Sequence, residues 1–409
     1  MLLERWLLFL GAVCLFGVIA HNPFLVGFSV AIASILVILS WWRKHSLDGV
    51  TYRRHPYYRR AFPGEIVSLK VEIENNKPLP LSWLRSEDPW PLAVGPDDDD
   101  ILTPSHIPEH GLLTNVFSLR WFEKTTRDYT LRFRKRGHYK LGPVTLHSGD
   151  AFGIYNQSRV EGQADYLTVF PEILPLEHLD LPAEDPFGNR RSRRRIFEDP
   201  NQPMGVREYR PEDGFRRVHW PATARTGQMQ VKVYQPTSAQ VAMICLNTTT
   251  FVHHHGVYTE LFEHLVRVSA TLADRYFHDG YQVGLMSNGS TAHSPRPINI
   301  PAGRSIKQLR VLLEALAGIT PLFSIPFEKF LIREMPYVVY GASLLIISAV
   351  TPPLLMETLA RLKRHNREIT LISLAQKPPE AVVGIKIVHR PFQEQDAKVK
   401  ASMHENSIG

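Results

Sequence analysis

Residues 205–232 read Gly205-Val206-Arg207-Glu208-Tyr209-Arg210-Pro211-Glu212-Asp213-Gly214-Phe215-Arg216-Arg217-Val218-His219-Trp220-Pro221-Ala222-Thr223-Ala224-Arg225-Thr226-Gly227-Gln228-Met229-Gln230-Val231-Lys232, and the chain changes character on either side. Arg207, Arg210, Arg216, Arg217 and Arg225 sit among Glu208, Glu212 and Asp213. A guanidinium fork suits a carboxylate better than an ammonium does, so the span reads as a cluster of bidentate ion pairs. Tyr209, Phe215 and Trp220 add rings for stacking or for packing against a neighbour. Before this span the chain reads as short alternating strands. After it come apolar strands alternating with helices.

On the carboxyl side, residues 241–246 are a continuous apolar strand and residues 344–349 a strongly apolar one. Residues 281–286, 369–374 and 382–388 read as further strands. Residues 257–277 have helical spacing, with Leu261, Leu265, Val268, Leu272 and Phe277 on one face. Residues 305–317 form another helix, and Pro352-Pro353 opens a third at 354–365. Strand–helix alternation implies a parallel, doubly wound sheet covered on both faces.

On the amino side, residues 66–73 alternate Ile, Ser, Lys and Glu with Val, Leu, Val and Ile, the period of a half-buried strand. Similar runs occur at 115–120, 127–134 and 144–147, with Gly and Pro between them, which points to an all-β sandwich of the immunoglobulin-like kind. Upstream, residues 6–20 and 24–42 are uncharged apolar runs separated by His21-Asn22-Pro23. The second is long enough to cross a bilayer, which takes about 20 residues. Trp41 and Trp42 fall where an interfacial aromatic belt belongs. The reading taken is a transmembrane helical hairpin. Arg43, Lys44, Arg53, Arg54, Arg59 and Arg60 follow it closely and place both ends in the cytoplasm. A signal peptide ending near Ala20 is the rival reading; the immediate return of an apolar run opposes it.

Within residues 205–232, the matches Arg207, Glu208, Tyr209, Asp213, Arg217, Trp220, Ala224, Arg225 and Gly227 resemble the signature of the bacterial domain-of-unknown-function family fifty-eight. The resemblance extends back through residues 136–143, 149–153 and 169–171. It implies a membrane-anchored chain ending in a von Willebrand factor A-like domain, a Rossmann-type α/β fold, and a MoxR-type AAA+ ATPase as partner. The expected plan is therefore a hairpin at 1–45, a sandwich at 46–171, a Pro/Arg-rich connector with the signature segment at 172–238, and the A-type domain with a polar tail at 239–409.

In that fold, the resemblance implies a divalent-cation site at the carboxyl edge of the sheet, built on Asp-x-Ser-x-Ser and a later Asp. Here Asn247, Thr249 and Phe251 align with the first motif and Ala349 with the later Asp. Phe and Ala cannot ligate, and a hard cation wants charged oxygens, so a degenerate site with no bound metal is expected. His253-His254-His255 could capture a transition metal, but adjacent side chains diverge and no spaced ligand completes a site. The carboxylate run at 97–100 reads as a solvated loop, with a hard-cation site as the sharper alternative.

Catalysis has little support. Glu208, Asp213 and His219 could form an acid/base set, yet the surrounding arginines favour salt bridges, and no nucleophile is spaced usefully. The segment then acts as an interdomain clasp or a docking face, through Arg207, Glu208, Tyr209, Asp213, Arg216, Arg217, His219, Trp220 and Arg225. The arginines at 190–195 read as a solvated connector, with attraction to anionic lipid as the alternative. In 409 residues the formal charge is only +7, too modest and uneven for a nucleic-acid binder. Two cysteines exclude a disulfide framework. No cofactor is expected. The leading reading is a membrane-tethered, non-enzymatic scaffold facing cytoplasmic partners; an outward-facing receptor or enzyme using a metal-dependent A-type edge is the alternative.

Overall fold

The structure, a computed structural model, describes residues 2–98, 101–149, 156–175, 197–210, 213–214, 218–237, 241–250, 257–292, 294–339, 341–365 and 367–393. It divides into two compact units, residues 1–170 and 171–409.

The first unit opens with helices α1 (Leu2–Ile19) and α2 (Pro23–His45). Between them Asn22 Oδ1 accepts the N–H groups of Phe24 and Leu25 at 3.1 and 3.3 Å, satisfying two donors that a helix start leaves orphaned. The stretch Pro23–Trp42 is long and apolar enough to cross a membrane; the apolar stretch of α1, Arg5–Ile19, is shorter. Leu8, Phe16, Phe24, Phe28 and Ile38 are exposed along the two helices, a display of apolar surface that a water-facing helix avoids.

Among the described residues eleven strands follow: β1 (Val50–Pro56), β2 (Arg60–Ala61), β3 (Ile66–Asn75), β4 (Leu81–Pro91), β5 (Leu102–Pro104), β6 (His110–Leu119), β7 (Lys124–Arg132), β8 (Gly137–Leu141), β9 (Val144–Gly149), β10 (Asn156–Glu161) and β11 (Asp165–Val169). They form sheets ordered β1-β3-β7, β10-β9-β4-β6-β5 and β2-β11-β8. Val67, Leu69, Val71 and Ile73 face the core from β3, as their period-two spacing requires, and meet Leu84, Trp90, Leu113 and Leu131. The eleven-residue β4 carries no clean alternation, and sequence reading passed over it. Asp97 pairs with Arg132, so its part of the acidic run is tied to the sandwich; residues 99 and 100 lie outside the described ones.

One buried polar cluster crosses this core. Arg54 on β1 donates from Nε and Nη2 to Asp88 on β4, both at 2.7 Å, and Tyr52 donates to the same carboxylate at 2.9 Å. Asp165 lies 3.3 Å from the guanidinium. Gly142 has φ 73°, and a Cβ there would run into the Arg54 guanidinium, so a glycine is required. Arg54 was counted among the charges flanking the membrane segment. It is buried in this ion pair instead, and the basic excess there rests on its neighbours.

The second unit comprises β12 (Phe197–Glu208), α3 (Trp220–Thr226), β13 (Gln230–Thr237), β14 (Val241–Leu246), α4 (Thr259–His278), β15 (Gln282–Ser287), β16 (Gly289–Thr291), β17 (Ile298–Gly303), α5 (Ile306–Gly318), β18 (Ile319–Phe323), α6 (Phe327–Glu334), β19 (Ser343–Ser348), α7 (Pro353–Arg364), β20 (Glu368–Ser373) and β21 (Lys386–His389). The main sheet runs β17-β15-β14-β19-β20-β21. Neighbours from β15 to β21 are parallel, whereas β17 joins β15 antiparallel, so the sheet is mixed and not wholly parallel. Val241, Met243 and Cys245 point from β14 toward Phe330 of α6 and Leu355 and Leu359 of α7. Helix α4 lies against β14 and β15, with α5 beside it.

On α4 the buried face runs Leu261, Leu265, Val268, Leu272 and Tyr276; Phe277, expected there, is only half-buried. Steps of four, three, four and four residues keep to one side of a helix, and the step from 272 to 277 rotates off it. The segment expected as a free connector is also corrected at both ends. Leu174 is buried and donates its N–H to Thr271 Oγ1 at 3.0 Å, and residues 197–203 belong to β12, paired antiparallel with β13. Residues 176–196, with the arginines at 190–195, lie outside the described ones.

Candidate functional site

The signature segment folds as a β-ribbon with a short helix laid into its connection. Strands β12 and β13 pair from Gly205↔Val233 to Glu208↔Gln230. The ribbon closes with Tyr209 N–H on Met229 O at 2.8 Å and His219 N–H on Gln230 O at 2.8 Å. Helix α3 starts with Pro221 in its first turn, where the missing N–H costs nothing. His219 Nδ1 accepts the Ala222 N–H at 3.0 Å, which puts the ring proton of the neutral imidazole on Nε2. Gly227, at φ 71°, ends the helix in the left-handed conformation and donates to Thr223 O. Thr223 Oγ1 accepts the Gln230 N–H at 3.0 Å, tying the helix to β13.

Among the described residues, Arg207 and Asp213 form an ion pair of the expected cluster. Arg207 Nη1 and Nη2 each reach Asp213 at 2.6 Å, the bidentate fork anticipated for this span. Asp213 Oδ2 also accepts the Arg210 N–H at 2.9 Å. The pair joins residues six apart and staples the loop after β12. The Arg207 side chain is 41% exposed, whereas that of Asp213 is 8% exposed. Glu208, Arg210 and Arg225 are exposed, and Glu208 and Arg225 form no ion pair with any described residue. Tyr209 is half-buried, and Trp220 is 64% exposed. Glu212, Phe215, Arg216 and Arg217 lie outside the described residues.

The second region is the carboxyl edge of the main sheet. Asn247 follows β14 directly and is buried. Its Nδ2 donates to Ser348 Oγ at 2.9 Å, and its Oδ1 accepts the Thr249 N–H at 3.1 Å. Asn288 Oδ1 accepts from both the backbone N–H and the hydroxyl of Thr248, at 3.0 and 3.2 Å. Ser287 donates to Leu246 O at 2.8 Å, and Ser348 to Val350 O at 2.6 Å. Ala349 is buried and Thr249 half-buried. Phe251 and the three histidines at 253–255 lie outside the described residues. Among the described residues, no three His, Cys, Asp or Glu side chains gather as a metal-binding group. Burial pushes the Cys245 thiol up to about 12, so this end of β14 offers no thiolate.

This edge is a row of neutral hydroxyl and amide groups: Asn247 bonds Ser348 and Thr248 bonds Asn288, while Ser287 and Ser373 bond to neighbouring backbone. Ser287, Ser348 and Ser373 were not singled out from sequence, and Asn288-Gly289-Ser290, which reads from sequence as a loop, contributes Gly289 and Ser290 to β16. A signal was present: apolar runs of the sheet, at Leu246-Asn247, Met286-Ser287, Ile347-Ser348 and Ile372-Ser373, switch abruptly to a small polar residue.

The family model described as "Protein of unknown function DUF58" matches residues 205–328, from the signature ribbon to the start of α6. "Uncharacterized protein YeaD" of Bacillus subtilis (strain 168) is 22% identical over 227 residues, covering 55% of this chain and 52% of that protein. The chain thus spans about half the length of that relative. Among solved structures, the CARDB domain of the PF1109 protein from Pyrococcus furiosus, in complex with di-metal ions, covers 29% of this chain and 91% of its own at 7% identity and a TM-score of 0.21. A type II cohesin domain from the cellulosome of Acetivibrio cellulolyticus covers 29% and 95% at 14% identity and a TM-score of 0.20. Scores this low carry no weight for the present chain. The family match falls on the segment where Arg207, Asp213, His219 and Trp220 build the ribbon and its helix, so over residues 205–328 the chain is similar to the DUF58 family.

Proposed function

We propose that the protein is a membrane-tethered scaffold whose α/β half docks protein partners and performs no chemistry of its own. The observation that carries this reading is Trp220. Helix α3 is pinned by the His219 cap, the Thr223–Gln230 bond and Gly227, yet its Trp220 is 64% exposed and has no ring contact among the described residues. Arg225, on the same helix, is exposed as well. Trp and Arg held rigidly outward are the residue types that dominate binding energy at protein interfaces.

The strand order supports a von Willebrand factor A-like reading. Counting β14, β15, β17, β19, β20 and β21 as one to six gives three-two-one-four-five-six, a doubly wound order. Its switch point lies between β14 and β19, where such sheets open a crevice for ligands. Asn247 and Ser348 bridge that crevice with a hydrogen bond, which favours a face read by partners over an acidic ligand cage. Resemblance names a MoxR-type AAA+ ATPase as the partner. Helix α2 supports the tether. Read as a hairpin with α1, and with Arg43 and Lys44 after it, α2 favours a cytoplasmic placement of the soluble units by the positive-inside rule.

The test is co-purification of the full chain, reconstituted in nanodiscs, with a MoxR-type ATPase with and without ATP. A stable complex is expected, weakened at least tenfold by Trp220→Ala. Recovery of no complex in either nucleotide state, or full binding by the variant, sinks the docking reading. Protease shaving of intact cells tests the orientation, and digestion of the soluble units would reverse it.

A further inference from the structure

We propose that the loop carrying Trp121 and Phe122 inserts into the headgroup region of the bilayer that α2 enters, seating the β-sandwich on a lipid surface. The proposal rests on α2 crossing a membrane. It goes beyond that by assigning a second, separate contact with the lipid.

Residues 120–123 join β6 to β7 and pass from one sheet of the sandwich to another. At the tip, Trp121 is 65% and Phe122 67% exposed. Phe122 holds φ 52°, a left-handed backbone that bulky residues rarely adopt. Two adjacent exposed rings on a disfavoured backbone contribute nothing to the core. Such retained strain points to a use for the tip.

The tip is fixed at the helix-proximal end of the sandwich by Asn75 and Lys77. The buried Asn75 side chain donates to Arg120 O at 2.8 Å and to Leu79 O at 3.0 Å, and the Asn75 N–H donates to Glu123 O at 2.9 Å. The Phe122 N–H donates to Lys77 O at 3.2 Å. Lys77 Nζ in turn donates to Ser46 O and, at 2.8 Å, to Asp48 O. One lysine therefore connects the aromatic tip to the backbone immediately after α2.

The distances are compatible with insertion. Helix rise is about 1.5 Å per residue, so Trp42 lies roughly 6 Å along the axis from Ser46. Headgroup regions add roughly 5–8 Å to each side of the hydrocarbon core. A tip held beside Ser46 thus lies within reach of the layer where Trp41 and Trp42 sit. Trp and Phe are favoured in that layer, and Arg120 next to them is exposed, matching an anionic headgroup. A lipid surface is the occupant that follows from continuity with α2.

The test is nitroxide depth measurement on the full chain in nanodiscs of phosphatidylglycerol and phosphatidylethanolamine. Cys14→Ser removes the accessible thiol; Cys245 stays, being fully buried. Single labels go on Trp121→Cys, on Phe122→Cys (which keeps Trp121), on Val37→Cys within α2, and on Tyr166→Cys as an exposed control on the sandwich. At the two tip positions, collisions with a water-soluble nickel chelate should fall several-fold below the Tyr166 control, while collisions with lipid-soluble oxygen rise. A tip as open to nickel as Tyr166, with Val37 shielded, overturns the wedge and leaves the membrane crossing intact. Shielding from nickel and oxygen alike means a protein cover, from a second copy or the rest of the chain, and also overturns it. If Val37 is open to nickel, α2 does not cross and both readings fail.

Discussion

Asn247 Nδ2 donates to Ser348 Oγ at 2.9 Å, so the first residue after β14 is bonded to the last residue of β19. These are the two strands between which the chain order reverses. In a sheet of this order the carboxyl ends diverge there and leave a crevice. Here a neutral bridge spans it, and the other Asn247 atom holds the following turn through Thr249.

Asn247→Ala should therefore be more harmful than its position in a loop suggests. It leaves the buried Ser348 hydroxyl with only the longer Val350 N–H as donor, at 3.3 Å, and the Thr249 N–H without its Asn247 acceptor, a loss of about 1–3 kcal/mol. Thr249→Ala, whose hydroxyl bonds to no described residue, should change stability by only about 0.5 kcal/mol. Urea unfolding of the full chain in detergent compares the two, and equal midpoints would show that the bridge is not structural. Titration of the native chain with Mg²⁺ or Mn²⁺ in a calorimeter is expected to give no saturable heat.

Asp213 and Arg207 should be unequal partners. Arg207 is partly solvated, so water screens its attraction, and Arg207→Ala should cost at most about 1 kcal/mol. Asp213 also accepts the Arg210 N–H, so Asp213→Ala frees a backbone donor as well and should cost about 1–2 kcal/mol. A double-mutant cycle by thermal melting separates the shared ion pair from the turn. If Arg207→Ala proved the costlier change, the pair would be anchored elsewhere than in this loop.

The sequence showed most where a single periodicity ruled. Strand β14 is an unbroken apolar run, β19 is apolar between its two terminal serines, and α4 keeps its buried face for about four turns until Tyr276 replaces the expected Phe277. It showed less where pairing decides. Strand β12 is stabilised by β13, and Phe197 to Pro203 have a connector's composition, so only the partner strand reveals them. The fork of Arg207 on Asp213 was legible from charge and spacing, but its exposure was not, because exposure depends on what lies above a ribbon. Ser287 and Ser348 were hidden for another reason. A small polar residue after an apolar run is ordinary until two such runs become neighbours in a sheet.

The buried Arg54–Asp88 pair should be the most sensitive polar contact of the sandwich. Both side chains are nearly inaccessible, so Asp88→Ala leaves a guanidinium buried without its main partner, at a cost of about 3–5 kcal/mol. The paired change Arg54→Met with Asp88→Leu should be much milder, since it removes both charges at similar volume. Tyr52 supplies an alkaline signature. Burial, with Asp88 beside it, pushes its phenol well above 10.0. Above that pH the unfolded chain sheds a proton that the native chain keeps, so stability falls as pH rises. Tyr52→Phe should flatten that fall in unfolding midpoints taken between pH 10 and 11.

Lys77 should act in the opposite direction and at lower pH. Burial pushes its ammonium down from 10.5 to about 8; Asp48 opposes the shift and Arg159 adds to it. Below about pH 8 both native and unfolded chains hold the proton, and this group gives no slope. Between about 8 and 10.5 the unfolded chain binds a proton that the native chain has released, so stability rises with pH across that window. The neutral amine still has two N–H donors for Ser46 O and Asp48 O, so the tie to the end of α2 survives the titration. Urea midpoints of the full chain in detergent should therefore climb from pH 7.5 to 9.5. In Lys77→Met that climb should vanish, whatever the variant's stability at pH 7.5. Parallel pH profiles for the two proteins would mean that Lys77 titrates as it does in water, and that the tip at Trp121 is not held by a buried lysine.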